Sequence, residues 1–307
     1  MLNPHLLNNL VLRSMRFVCF GALLWGCQPE EIVFADNDIP AYDGISTLTV
    51  QNYVNRLFID CIGREPTDIE MDTTVVALET AALHHDARKA IVESLMAAPA
   101  TSVGFHDKVY SDLKARFLQG ASDEDLMSRY SNLVFNALND SLGGNLVGYA
   151  AAMEAAGRIL DVVDARDDYA EGGLAMNAFC KRLCWNNLYD EINMNSFNFV
   201  NATFDDLFGR FPTTAEFDLG YDIIEYNQAH VFFGMAAQDK PTYLEAMVSD
   251  EEWAEGMVRW AAAGMWAREP SHGELLMGLE AFLSAPGGNY EALLQEFLTT
   301  DDYAGFD

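Results

Sequence analysis

The densest group of side chains able to contact a ligand lies between Cys184 and Asn198. Indole, phenol, amide and carboxylate groups together can line a carbohydrate or peptide site. The segment therefore predicts a binding surface made by Trp185, Asn187, Tyr189, Asp190, Asn193 and Asn195. Because Asn and Ser are also common in turns and helix caps, the alternative is a structured connector. Asp190 and Glu191 are adjacent, so their side chains diverge on a helix and make a poor acid–base pair.

Two short clusters contain residue types that ligate metals. Residues 84–86 read His-His-Asp and could form a metal clip, whereas residues 36–38 read Asp-Asn-Asp and suggest calcium. The first lacks a spaced third ligand, and the second lacks the Gly and final Glu of an EF-hand loop. No Gly-rich phosphate loop, H-E-x-x-H sequence or G-x-S-x-G elbow is present. We therefore expect no catalytic residue, no metal and no cofactor, with residues 84–86 in a solvated polar loop.

Cys180 and Cys184 are four residues apart and share one face of a predicted helix. A disulfide or a two-thiolate metal site is possible there, and two small buried hydrophobic residues are the alternative. Trp253, Trp260 and Trp266 recur at nearly helical intervals, which predicts core packing.

The charge of the chain excludes one class of partner. The 307 residues include 18 Lys and Arg against 47 Asp and Glu, for a net charge of −29. A nucleic-acid-binding protein needs a cationic surface, and an anionic membrane surface would repel this chain. The acidic composition instead favours solubility, cation binding or docking to a basic partner.

An internal repeat is the strongest pattern in the sequence. Residues 53–72 and 199–218 are identical at ten of twenty positions without a gap, and residues 268–274 form a shorter third copy. The shared core reads R-x-P-[ST]-x-x-E. Self-similarity of this kind is typical of proteins built from repeated structural units.

The repeat predicts a helix, a sharp corner and a second helix. Gly63 and Gly209 suit the left-handed position just past a helix, and each Pro breaks the helix before it. The hydroxyl residue and the Glu three positions later form a capping box. The structural corner motif thus comprises Gly63, Arg64, Pro66, Thr67, Glu70, Gly209, Arg210, Pro212, Thr213, Glu216, Arg268, Pro270, Ser271 and Glu274. The alternative is that the repeated Arg–Glu pair forms a binding site.

These patterns predict an all-α fold of repeated helix-corner-helix modules in one or two bundles, with at most a short hairpin. The predicted segments are a signal peptide at 1–26, a tether at 27–48, helical module 1 at 49–105, a helical insertion at 106–198, module 2 at 199–253 and module 3 at 254–307. Within the insertion, we expect helices from Ser122–Asp125 to about Leu142 and from Leu146 to Val163, separated by Gly143-Gly144.

The G-R-x-P-x-x-x-E corner, followed by an apolar helix and an acidic cap, resembles uncharacterised helical modules of bacterial exported proteins. Some of these modules accompany c-type cytochrome domains in planctomycete proteins, and others occur in Bacteroidetes-type envelope proteins. The resemblance covers about residues 53–105 and 199–303. It implies a helical fold and an envelope setting, and it implies no reaction.

The N-terminus has the features of a targeting segment. Arg13 and Arg16 precede an apolar run, Phe17 to Trp25, that is too short to span a bilayer. The sequence Leu-Trp-Gly-Cys at 24–27 resembles a bacterial lipobox, with Cys27 as the lipidated residue. The following Gln-Pro-Glu-Glu is similar to the acidic tag of Bacteroidetes-type surface lipoproteins. These resemblances imply a lipid-anchored protein of the bacterial outer membrane, exposed at the cell surface.

Together these observations lead to the hypothesis of a non-enzymatic surface or envelope lipoprotein that binds an envelope or extracellular protein or glycan. One alternative is an accessory subunit of a periplasmic or surface enzyme or electron-transfer complex. Another is a carboxylate-dependent hydrolase. We expect membrane contact through the lipid alone and no nucleic-acid partner.

Overall fold

The computed structural model describes residues 44–97 and 104–306. The predicted signal peptide, Cys27, most of the tether and the Asp-Asn-Asp triplet lie outside these residues. The predicted all-α fold is confirmed for the described part of the chain, which contains sixteen helices and one two-stranded hairpin. The helices of the first half are α1 (Thr47–Ile62), α2 (Asp68–Thr80), α3 (His85–Met96), α4 (Phe105–Leu118), α5 (Asp123–Leu142), α6 (Leu146–Val163), α7 (Ala165–Ala170) and α8 (Met176–Cys184).

The second half contains the only two strands of the described residues, between α11 and α12. Its elements are α9 (Asn187–Asn193), α10 (Ser196–Phe208), α11 (Thr214–Tyr226), β1 (His230–Phe232), β2 (Met235–Ala237), α12 (Lys240–Val248), α13 (Glu251–Trp266), α14 (His272–Phe282), α15 (Tyr290–Leu298) and α16 (Asp301–Ala304). The antiparallel strands pair Phe232 with Met235 across a two-residue turn. Both turn residues, Phe233 and Gly234, have positive φ, which is the geometry of a tight type I′ hairpin.

Helices α1 and α10 are the equivalent first helices of the two long repeats. Each buries one apolar face and ends at a glycine in the left-handed conformation, Gly63 with φ 72° and Gly209 with φ 69°. Helix α1 begins two residues before the predicted module boundary because the Ser46 hydroxyl accepts a hydrogen bond from the Thr49 amide. The start of α3 also differs from the prediction, since the polar loop ends at His84 and His85 is already helical.

All three corners have the same hydrogen-bonded geometry. Thr67, Thr213 and Ser271 each cap the following helix, and the Glu three residues later completes a capping box. The preceding helix of the third copy ends at Ala267, which takes the left-handed conformation that glycine has in the other copies. A corner of this kind removes two unsatisfied amides at each helix start and fixes the angle between successive helices.

The corner arginines add ion pairs that the capping box alone does not include. Arg64, Arg210 and Arg268 each donate two parallel hydrogen bonds to the Glu of their own box, at 2.7–2.9 Å. Arg210 also binds Glu252 at the start of α13, and Arg268 also binds Asp302 in α16. Each of these two arginines therefore joins its own corner to a helix further along the chain.

Hydrogen bonds connect α1 with helices near the other end of the described chain. The Tyr53 hydroxyl donates to the Leu298 carbonyl at 3.1 Å, and the Tyr303 hydroxyl donates to Asp60 at 2.7 Å. The Arg56 guanidinium donates to the carbonyls of Tyr303 and Met265. Residues of predicted modules 1 and 3 are therefore in direct contact, and the described residues from 44 to 306 cluster as one compact unit.

The predicted insertion at 106–198 divides into two structurally different parts. Helices α4, α8 and α9 pack into the body of the protein, where α4 contacts α1, α3 and α8. Helices α5 and α6 pack along each other as a long hairpin, and its ends match the predicted Asp123–Leu142 and Leu146–Val163. Only Leu126 and Ala137 of α5 are buried, so α5 is supported mainly by α6.

None of the helices in residues 44–97 and 104–306 combines the length and the hydrophobicity that a membrane span requires.

Candidate functional site

The structure does not gather the six predicted binding residues into one surface. Tyr189 is fully buried, and its hydroxyl donates to Asp206 at 2.7 Å. The Asn193 side chain is also buried and donates to the Tyr189 carbonyl at 3.0 Å. These two side chains stabilise the body of the protein. The sequence alone did not distinguish them from ligand-binding residues, because Tyr and Asn serve both purposes.

Trp185 and Asn187 lie at the junction between α8 and α9. The Trp185 ring is half-buried under two cationic side chains, with the Arg158 guanidinium 5.3 Å and the Lys181 ammonium 5.9 Å from its centre. The Oδ1 atom of Asn187 is buried without a hydrogen-bond partner in the described chain. The neighbouring Asn186 was not among the predicted residues. Its side chain caps α9 and donates to two carbonyls of α8.

Asp190 and Asn195 are the two predicted residues that share a cavity. This cavity has a volume of about 170 Å³, and its other walls include Met194, Ser196 and Lys240. Asp190 forms an ion pair with Lys240 at 2.6 Å, and Asn195 caps α10 by accepting from the Asn198 amide. Both side chains therefore already have partners, so they offer a ligand few free hydrogen-bonding groups.

A larger cavity of about 730 Å³ lies on another side of α9, between that helix, the end of α4 and the first half of α5. Its lining includes Leu188 and Ile192, together with an ion pair between Arg129 and Glu191 at 2.5 Å. Since Asp190 binds Lys240 and Glu191 binds Arg129, the two adjacent carboxylates point to different partners. Asp190 and Glu191 therefore do not form a paired acid and base with each other.

The far end of the α5–α6 hairpin carries the largest concentration of exposed apolar side chains in the described residues. We define this hairpin tip as residues 135–153, with exposed Phe135, Leu138, Leu142, Leu146, Val147, Tyr149 and Met153. Leu142 is 87% exposed and Val147 is 82% exposed. The tip contains one charged residue, Asp140, in a chain where 21% of residues are charged. Exposed apolar patches of this kind are typical of interaction surfaces.

The alternatives of a metal clip at residues 84–86 and of a disulfide or thiolate site at Cys180 and Cys184 are not seen in the described residues. No group of three or more metal-ligating side chains is present in residues 44–97 and 104–306. Cys180 and Cys184 are free and buried, and burial raises the pKa of Cys180 to about 12. Thiols in this environment are poor nucleophiles. Of the three tryptophans predicted in the core, Trp253 is buried and contacts Phe282 at 5.3 Å. Trp260 and Trp266 are only partly buried, although each packs on another ring.

A second aromatic surface escaped the sequence analysis. Phe197, Phe217, Tyr221 and Tyr226 form a row on α10 and α11, with successive ring centres 5.0, 5.9 and 5.9 Å apart. The rings at the two ends, Phe197 and Tyr226, are more than half exposed. The row joins residues from two helices, so only the spacing within α11 was visible in the sequence.

No protein family, no curated protein and no solved structure matches this chain.

Proposed function

We propose that this protein is a non-enzymatic envelope lipoprotein that captures another protein through its hairpin tip. The observation that carries the proposal is the exposed apolar surface of residues 135–153, at the end of two long helices that pack mainly on each other. The lipid anchor rests on Cys27 and the sequence around it. In this arrangement the repeats form the scaffold and the hairpin provides the contact.

The chemistry of the tip favours a protein partner over a lipid surface. Phe135, Leu138 and Leu142 recur at helical spacing on α5, which is the pattern by which a helix fits an apolar groove. Complete burial of one such side chain contributes about 1.5–3 kcal/mol. The tip contains no Lys or Arg to contact anionic headgroups, and its one charged residue is an acid.

A pull-down from native membranes, with Cys27 intact, tests the proposal. We expect the Leu142→Ser, Val147→Ser variant to lose capture of the protein that the parent retains, with an unchanged melting temperature because both side chains are exposed. Ile69→Ser is the matched control, since Ile69 is 76% exposed on α2, outside the tip. Equal capture by the tip variant and the parent would overturn the assignment of this surface.

The anchor is tested separately. Cys27→Ser should move the protein to a soluble fraction and abolish labelling by fatty acids, because the thiol is the lipid acceptor in a lipobox. If the variant remains membrane-bound and the parent carries no lipid, the proposed anchor is wrong. This result would leave the proposal for the hairpin tip unaffected.

A glycan is the second candidate partner, and the aromatic row favours it. Flat rings such as Phe217 and Tyr221, stacked at 23°, offer an extended apolar platform with hydroxyl groups at its edge. We expect Tyr221→Ala with Tyr226→Ala to abolish retardation of the protein in polysaccharide-containing gels. Tyr149→Ala, which removes an exposed ring from the hairpin tip, is the control. Absence of retardation of the parent on every polysaccharide would exclude this candidate.

A further inference from the structure

A cavity of about 380 Å³ lies between α1, α4, α13 and α15. Its volume is at the lower end of the range typical of small-molecule sites, about 300–1,000 Å³. The polar and aromatic side chains of its lining are Asp60, Lys108, Asp112, Arg116, Trp260 and Tyr290. None of these residues belongs to the hairpin tip or the aromatic row, so the cavity is independent of the proposed function.

Arg116 is the exceptional residue of this cavity. All other Arg side chains in the described chain bind a carboxylate or a backbone carbonyl, as do all Lys side chains except the exposed Lys89. The Arg116 Nη1 atom is shielded from solvent and has no hydrogen-bond partner among the described residues. Burial lowers the pKa of the guanidinium, yet Arg remains charged in proteins. The Arg116 side chain as a whole is partly exposed, and no acceptor of the described residues binds its remaining N–H groups. An anion in the cavity would supply the missing acceptor.

The other charged groups of the cavity are already engaged. Lys108 forms an ion pair with Asp112, and Asp60 accepts the hydrogen bond of the Tyr303 hydroxyl. Arg116 is therefore the one cationic side chain of the lining whose hydrogen-bond donors are not used by the described protein. A planar guanidinium matches a carboxylate, because two parallel hydrogen bonds can form between them.

The aromatic wall indicates the rest of the ligand. The ring of Trp260 lies 4.9 Å from the Arg116 guanidinium and is stacked on Tyr290 at 5.8 Å with an interplanar angle of 22°. Ala261 and Gly264 extend the same wall without adding polar side-chain groups. We propose that the cavity binds a small organic carboxylate, whose oxygens accept hydrogen bonds from Arg116 and whose flat apolar body lies against Trp260 and Tyr290.

Benzoate is the probe for this proposal, with benzyl alcohol and benzylamine as neutral and cationic probes of the same shape. We expect benzoate alone to raise the melting temperature of the full chain and to change its tryptophan fluorescence. The fluorescence change should disappear in Trp260→Phe. Arg116→Met should weaken benzoate binding about tenfold or more, since charge-assisted hydrogen bonds are lost.

Lys89→Met is the matched control, because it removes the same charge from the other cation that lacks a partner among the described residues, outside the cavity. It should bind benzoate as the parent does. Arg116→Lys keeps the charge and loses the planar fork, so it should bind benzoate less tightly than the parent, even if Arg116→Met fails to fold. The proposal is overturned if the parent binds no benzoate, if it binds all three probes equally, or if Arg116→Lys binds benzoate with undiminished affinity.

Discussion

The second corner should contribute more to stability than the first, because its arginine bridges two carboxylates. Arg210 binds Glu216 and Glu252, whereas Arg64 binds Glu70 alone among the described side-chain carboxylates. The Arg210 side chain is 33% exposed and the Arg64 side chain is 44% exposed. Removal of an arginine tests this difference directly, and methionine retains much of the apolar stem.

The expected magnitudes follow from these exposures. An exposed ion pair contributes about 0.2–1 kcal/mol, so we expect Arg64→Met to lower the free energy of unfolding by about 1 kcal/mol at most. Arg210→Met leaves two partly buried carboxylates without their cation, for which we expect a loss of about 2–3 kcal/mol. Adding Glu252→Gln to Arg210→Met should recover only part of this loss. In the double-mutant cycle we expect a coupling energy between Arg210 and Glu252 of about 1–2 kcal/mol.

Urea unfolding followed by circular dichroism measures these differences as shifts of the midpoint at constant slope. Equal destabilisation by Arg64→Met and Arg210→Met would refute the reasoning. A coupling energy below about 0.3 kcal/mol between Arg210 and Glu252 would refute it as well, because independent sites add within that range.

Three further results are expected. Thr67→Ala and Thr213→Ala should each lower the free energy of unfolding by about 1 kcal/mol, measured by urea unfolding, through loss of the cap hydroxyl. The Arg210 guanidinium lowers the pKa of Glu216 to about 2, so its contribution to stability is present above about pH 4.3 and should disappear as the pH falls towards 2, a loss absent in Glu216→Gln. Burial raises the pKa of Asp206 to about 6, so the folded state binds a proton more tightly than the unfolded chain does. The free energy of unfolding should therefore decrease as the pH rises from about 4 to 6, and Asp206→Asn should remove that decrease in thermal melts.

The sequence predicted the local structure well because its signals lie within a few residues of each other. The capping boxes at Thr67 and Thr213 and the hairpin break at Gly143 follow from neighbouring residues. The second partner of Arg210 did not follow, since Glu252 is 42 residues away and belongs to another helix. Packing between distant helices also decided that Tyr189 is buried.

The cavity around Arg116 and the hairpin tip were hidden from the sequence for the same reason. Four helices from both ends of the chain form the cavity, and an arginine in α4 has no local feature that marks it as unpartnered. The sequence predicted the ends of α5 and α6. The spacing of apolar residues along a helix does not show whether other helices of the protein cover all of them, so the exposure of the hairpin tip did not follow from it.

The contact of α16 with α1 makes the fold of the described residues depend on two segments that are far apart in the chain. Tyr303 supplies a hydroxyl to Asp60 and a carbonyl to Arg56, although about 240 residues separate them. A chain that stops before residue 303 leaves Arg56 and Asp60 without these partners. Because a loop of this length must close before these hydrogen bonds form, we expect the contact between α1 and α16 to form late in folding, after the local corners.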